Sequence, residues 1–348
     1  MKALATAVAG FALAAALPGT ARAQAPAQKA QAAAGFPVEI VAAVAAEGGK
    51  GSPVLVGRSG QLYAAGADRV WRRKSAGGVS ADVRAAARSP SRPGEIFAVG
   101  DDAPPFRFSG GTWRAELLGN RGSATLARGG GVPALSIGRH VYTLEKDAWV
   151  RRTSAGKIAT AVWAASPTAI LVATSDGALA RWDGKRLAPM KTGLAAGDSI
   201  VLLVGAQPKL VFGKSRSGRW IRVSGGSVAN LALARELDGF EEQAAGIGSD
   251  GALLLAGTAP APGGAKKPLL ARVQANKIVP GDDLWALADG DRFAVIHAGG
   301  GELLVASRSG SVRVRAATGA GAWSEGRVAG DLPAPAGKPR RSGPARSR

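Results

Sequence analysis

Short apolar runs recur along this chain at nearly even spacing, and no other feature narrows the possible folds so far. "PVLVG" is centred on Leu55, "EIFAVG" on Phe97, "PALSIG" on Leu135 and "AILVAT" on Leu171. "PKLVFG" on Val211, "ALLLAG" on Leu254 and "ELLVAS" on Leu304 continue the series. Successive separations are 42, 38, 36, 40, 43 and 50 residues, the span of one four-stranded propeller blade. Gly, Ser, Asp and Pro break the chain between the runs, which marks many short strands and few helices.

Each unit divides in the same way. A strand of small residues comes first, then the apolar run, a tight turn, a third strand and a fourth strand that often carries Trp. In the fourth unit these are "TAVWAAS", "AILVATS", "GALARWD" and "GKRLAPM". A unit of this kind cannot bury its faces alone and needs neighbours of like shape. The sequence therefore predicts an all-β fold over residues 36–330, a seven-bladed β-propeller of four-stranded antiparallel blades.

Two further regularities fit that reading. First strands such as "DVRAAAR", "SATLARG", "EQAAGIG" and "FAVIHAG", with Val38 to Val44 opening the series, are rich in Ala and Gly, as expected where innermost strands converge on an axis. Trp71, Trp113, Trp149, Trp182, Trp220 and Trp323 follow Gly or Ala turns or end strands, where a large ring fills the wedge between diverging blades and its N–H reaches a partner.

At these turns the chain resembles bacterial propellers with BNR or Asp-box-like repeats, including the photosystem II assembly and stability factor type. An Asp box reads S-x-D-x-G-x-T-W. "FRFSGGTW" from Phe106 to Trp113 keeps Gly110, Thr112 and Trp113 but has Phe where Ser and Asp belong. The resemblance implies a propeller. Because Asp-box propellers include sialidases, it also raises a glycosidase built on three arginines, a Tyr–Glu nucleophile and an Asp acid. Only Tyr63 and Tyr142 are available, and both fall on expected third strands, away from the axis.

The ends of the chain differ from its body. Lys2, the apolar run Ala3 to Leu17 and Ala21-Arg22-Ala23 form the three regions of a secretory signal peptide over residues 1–23. The Ala, Gln and Pro of residues 24–35 read as a disordered linker. Residues 331–348 carry Lys338, Arg340, Arg341, Arg346 and Arg348 among Pro, Gly and Ser, a basic disordered tail. No later run is long and apolar enough to span a bilayer as a helix. With no cysteine in the chain, a disulfide framework, a cysteine-ligated metal and a lipidated N-terminal cysteine are all excluded. The expectation is a soluble periplasmic or secreted monomer.

No cofactor or metal site is expected. His140 and His297 lie in different units, and the acidic stretches at Gly281–Asp283 and Asp289–Asp291, read as loops, do not follow the order of a calcium loop. The charge of +20 bears on partners rather than fold. On the turns between second and third strands the sequence places Arg58, Arg139, Lys214, Arg216, Lys266, Lys267 and Arg308, all on one rim of a propeller. Lys74, Arg121, Lys157 and Lys191 on the connections between units reach the same rim.

These residues are the expected binding set. Their partner would be an acidic protein surface or an anionic envelope polymer. Nucleic acid is disfavoured by export and by the scarcity of aromatic platforms. The sequence thus leaves two functions in play. One is a non-catalytic binding or assembly scaffold. The other is a sialidase-like, carbohydrate-active hydrolase using the axial channel, which requires carboxylates converging there.

Overall fold

A computed structural model describes residues 38–46, 51–75, 78–89, 92, 94–101, 103–120, 124–317 and 321–329. The expected signal peptide, linker and tail lie outside the described residues. Among the described residues the structure is all-β, with two short 3₁₀ turns as its helical elements, and six sheets are present.

Four-stranded antiparallel meanders are the repeating element, because short apolar strands joined by tight Gly turns pair with their sequence neighbours first. The unit at Leu171 shows the pattern: Ala159–Ser166, Ala169–Thr174, Leu179–Trp182 and Leu187–Met190 pair in that order. Each of the apolar runs lies on a second strand, from Val54–Gly57 to Glu302–Ser307. Tyr63 and Tyr142 lie on third strands.

One sheet has eight strands, and it joins the two ends of the described chain. The meander Ile40–Val44, Val54–Gly57, Leu62–Ala65 and Val70–Arg73 meets the last meander, Phe293–Gly299 to Ser324–Val328, through their outer strands. That junction is parallel, with Arg327 opposite Val70 and Val328 opposite Trp71. Ile40–Val44 pairs antiparallel with Val54–Gly57, so the opening strand belongs to its own meander.

The cores lie between successive meanders rather than inside them. Val56 and Leu62 pack with Val83 and Ile96, Phe97 with Leu135 and Tyr142, and Val141 with Val162 and Ile170. Trp163 packs with Ile200 and Val211, Phe212 with Leu253 and Leu269, and Leu254 with Phe293 and Leu303. Leu304 and Val312 then pack with Ile40, Leu55 and Trp71, which returns the series to its start.

Tryptophans bridge these boundaries. The indole N–H of Trp113 donates to the Gly60 carbonyl at 2.8 Å, that of Trp163 to Gly205 at 2.9 Å, and that of Trp220 to the Glu242 carboxylate at 2.7 Å. Trp149 meets Phe97 edge to face with centroids 5.1 Å apart. Trp163 departs from the small-residue rule for first strands, because its ring turns into the space between two sheets instead of toward the axis.

Candidate functional site

First strands of small residues leave room where they converge. Ile40–Val44, Val83–Arg88, Ile200–Gln207, Glu241–Ile247 and Phe293–Gly299 line a cavity of about 530 Å³. Its wall is mainly Ala, Val and Gly, and no carboxylate is among the described lining residues. Arg88 and His297 are the ionisable groups there. The Arg88 Nε donates to the Ala45 carbonyl at 2.5 Å, and burial pushes the His297 imidazole down to about 4, so it is neutral near pH 7.

The loop after Leu126 crosses this cavity. Arg128–Gly129 adds a parallel strand to Ile200–Gln207, with Gly129 opposite Gly205, and Gly131 donates its N–H to Ala164 at 3.0 Å. Three consecutive glycines permit such close backbone approach. A Cβ on Gly129, whose φ is +80°, would stand 2.6 Å from the Gly205 oxygen.

The rim at the other end of the first strands is built from a repeated clasp. The turn Ser215-Arg216-Ser217-Gly218 is held by Asp198, which accepts from the Ser217 N–H at 3.1 Å and its hydroxyl at 2.6 Å. Ser307-Arg308-Ser309-Gly310 repeats this, Asp291 accepting from the same groups of Ser309 at 3.2 and 2.6 Å. The Ser217 hydroxyl, together with Ser215, the Ser217 N–H and Arg219, holds the Asp198 carboxyl below the usual range. The turn also donates a backbone N–H to the residue preceding a first strand: Arg58 to Glu39, Ser175 to Ile158, Arg216 to Ser199 and Arg308 to Arg292.

Most of the expected binding cations meet carboxylates on this rim. Glu39 joins Arg58 at 3.1 Å to Arg308 at 2.6 Å, and Arg58 also reaches Asp82 at 2.6 Å. Lys214 pairs with Glu242 at 3.0 Å, Lys266 with Glu241 at 2.7 Å and Lys267 with Asp283 at 2.7 Å. Arg139 and Arg216 have no ion-pair partner among the described residues. Arg58 and Arg308 are thus brought together through one carboxylate, while Lys266 and Lys267 are neighbours that face different acids.

Three placements differ from the sequence reading. Lys214 lies in the strand Leu210–Ser215, and Lys266 and Lys267 open the strand Lys266–Gln274, because in both places the pairing extends past the glycines that mark the turn. Gly281–Asp283 ends the strand Lys277–Asp283 rather than forming a loop, and its acids bind cations: Asp282 lies 2.5 Å from Arg315 and Asp283 holds Lys267. Sequence reasoning counted the rim cations and missed the acids that answer them. The available signal was an acid at or just before several first strands, in "VEI", "ADV", "GDSI", "FEE" and "GDRF".

No protein-family model matches the chain, and no curated protein sequence matches it. Among solved structures, the WD40 β-propeller domain of Doa1 superposes with a TM-score of 0.57 and 13% identity, covering 80% of this chain and 93% of that one. The β-propeller domain of Cps50 (Swd1) from Myceliophteria thermophila gives 0.54 and 12%, covering 78% and 96%. U3-55K gives 0.55 and 13%, covering 78% and 89%. Four-stranded antiparallel meanders packed face to face, together with this likeness, establish the fold as a β-propeller.

Proposed function

We propose that this chain is an exported β-propeller of seven blades, related to the BNR or Asp-box-like bacterial propellers, that acts as a non-catalytic scaffold. Its partner in this reading is an acidic protein surface or an anionic cell-envelope polymer. The blade count is supported by the hydrophobic clusters between successive meanders, if the eight-stranded sheet is taken as two blades meeting edge to edge. The Asp-box relation is supported by the hairpin at Gly110 and Gly111, where the Thr112 hydroxyl donates to the Ser109 carbonyl at 3.3 Å.

One observation carries the functional reading. The axial cavity is walled mainly by Ala, Val and Gly without a described carboxylate, whereas the expected binding cations lie on or beside the rim, five of the seven against carboxylates. A hydrolase working in the channel needs acid and base groups there. A binding protein needs only the rim.

The test is to immobilise the mature protein and challenge it separately with the protein and polymer fractions of an envelope extract. An acidic species that elutes as salt is raised is the expected result, because exposed ion pairs are screened. Release of a cleaved product from a bound saccharide would reverse the reading in favour of the hydrolase.

A further inference from the structure

The rim clasps allow equivalent positions in different blades to be compared. At the position before the first strand, one blade carries Glu39, which bonds the turn cation of its own blade and that of the preceding one. The blade beginning at Ala159 has Ile158 there, identified by the same turn bond from Ser175. Ile158 is 55% exposed, and the preceding turn carries Arg139, which lacks the carboxylate that Arg308 finds in Glu39.

The surroundings extend this difference across neighbouring blades. The turn of Gly138 and Arg139 accepts backbone bonds from Ala159 and Ala155, both at 2.8 Å. The Thr160 hydroxyl donates to the Ile200 carbonyl at 2.6 Å, which brings alongside the next first strand, whose second residue, Val201, is 41% exposed. The backbone N–H of Arg216 donates to the Ser199 carbonyl at 2.8 Å, which sets this turn at the head of the same strand. Asp176 and Asp198 are the acids here, and both are engaged by their own turns, Asp176 by Thr174 and Ala178 and Asp198 by Ser217.

Resting on the reading above, we propose that the rim sector from Arg139 through Ile158 and Val201 to Arg216 is a docking site for an acidic polypeptide segment bearing a large apolar side chain. Charge complementarity selects the acid: Arg139 and Arg216 flank the sector without a carboxylate partner among the described residues, and Lys157 and Arg219 act on the ionised Asp176 and Asp198. The sector therefore stays net positive, and an incoming carboxylate on the two arginines displaces no ion pair. Exposed Ile158 and Val201 between them supply apolar surface that a saccharide polyanion would leave wet. Rim charges of this kind set association and specificity.

Fluorescence anisotropy with labelled Glu-Leu-Glu-Leu-Glu-Leu and Glu-Ser-Glu-Ser-Glu-Ser peptides tests the site, each variant first being checked by thermal melting. Wild type should prefer the Leu peptide. Arg139→Glu with Arg216→Glu, and separately Ile158→Ser with Val201→Ser, should each raise Kd by about tenfold. Arg114→Glu with Arg151→Glu, the same charge change on outer strands, should not. Equal loss in that control overturns the site, as does unchanged binding in both sector variants.

If the arginine pair matters but the two peptides bind alike, the apolar side chain takes no part in recognition and the assignment of an apolar-bearing acidic segment is overturned. Failure of both peptides to bind also overturns this site. The wider scaffold reading would then be judged on the envelope-fraction experiment alone.

Discussion

Gly326 lies against the ring of Trp71 so closely that a Cβ on it would stand 2.8 Å from the Trp71 Cζ3 and 2.9 Å from the Arg69 carbonyl oxygen. The two residues belong to the first and last meanders, and their contact sits where the parallel pairing of Val328 with Trp71 joins them. Trp71 is fully buried, and its indole N–H donates to the Pro53 carbonyl at 2.9 Å. Gly326→Ala should therefore strain the junction, lowering stability by about 1–3 kcal/mol. Urea unfolding at constant slope is the measurement, and a change within error would show that the two edges part freely.

The glycine crossing should be equally intolerant. Gly130 has φ +98°, and a Cβ there would be driven into the Ala164 carbonyl. Gly130→Ala combines left-handed backbone with a contact that only backbone movement relieves, so a loss of at least about 2 kcal/mol is expected. Gly156, where a Cβ meets nothing within 4 Å, provides the comparison. Gly156→Ala should melt within a few degrees of wild type.

Glu39 neutralises two arginines that are themselves partly exposed. Glu39→Gln should change stability by no more than about 1 kcal/mol, as for other exposed pairs. It should nonetheless strengthen retention on an anionic resin, because one negative charge is lost and the Arg308 guanidinium is released, while Arg58 keeps Asp82. Unaltered elution would mean that these arginines do not face the resin.

His297 couples the cavity to pH. Burial lowers its pKa from 6.5 to about 4, so between those values the unfolded chain binds the proton more readily than the folded one. Stability from this group is complete above pH 6.5 and declines as pH falls toward 4. Replacing His297 with Gln should flatten the acid limb of a plot of melting temperature against pH within that window. A parallel curve for the variant would assign the acid sensitivity to other groups.

Much of the fold was legible in the residues. The even spacing of runs such as "AILVAT" and "ELLVAS", the small first strands and the Trp at wedge positions all reflect local pattern and side-chain volume, which a linear chain displays openly. The rim was half legible. Arg58 and Arg308 could be placed on turns of one face, but not the carboxylate of Glu39 between them, because a contact across 19 residues in one direction and 269 in the other leaves no periodic trace.

What the chain carries in its own order is the blade: strand lengths, turn glycines and the alternation that gives each sheet two apolar faces. Its folding in three dimensions settled the rest. Whether a given cation is paired, as at Arg308, or has no ion-pair partner among the described residues, as at Arg139, depends on which residue of the next blade arrives beside it. The crossing of Gly129–Gly131 over the cavity and the seating of Gly326 on Trp71 have the same origin. Each is a contact between segments distant in sequence, set by how the blades pack and by nothing in their immediate neighbours.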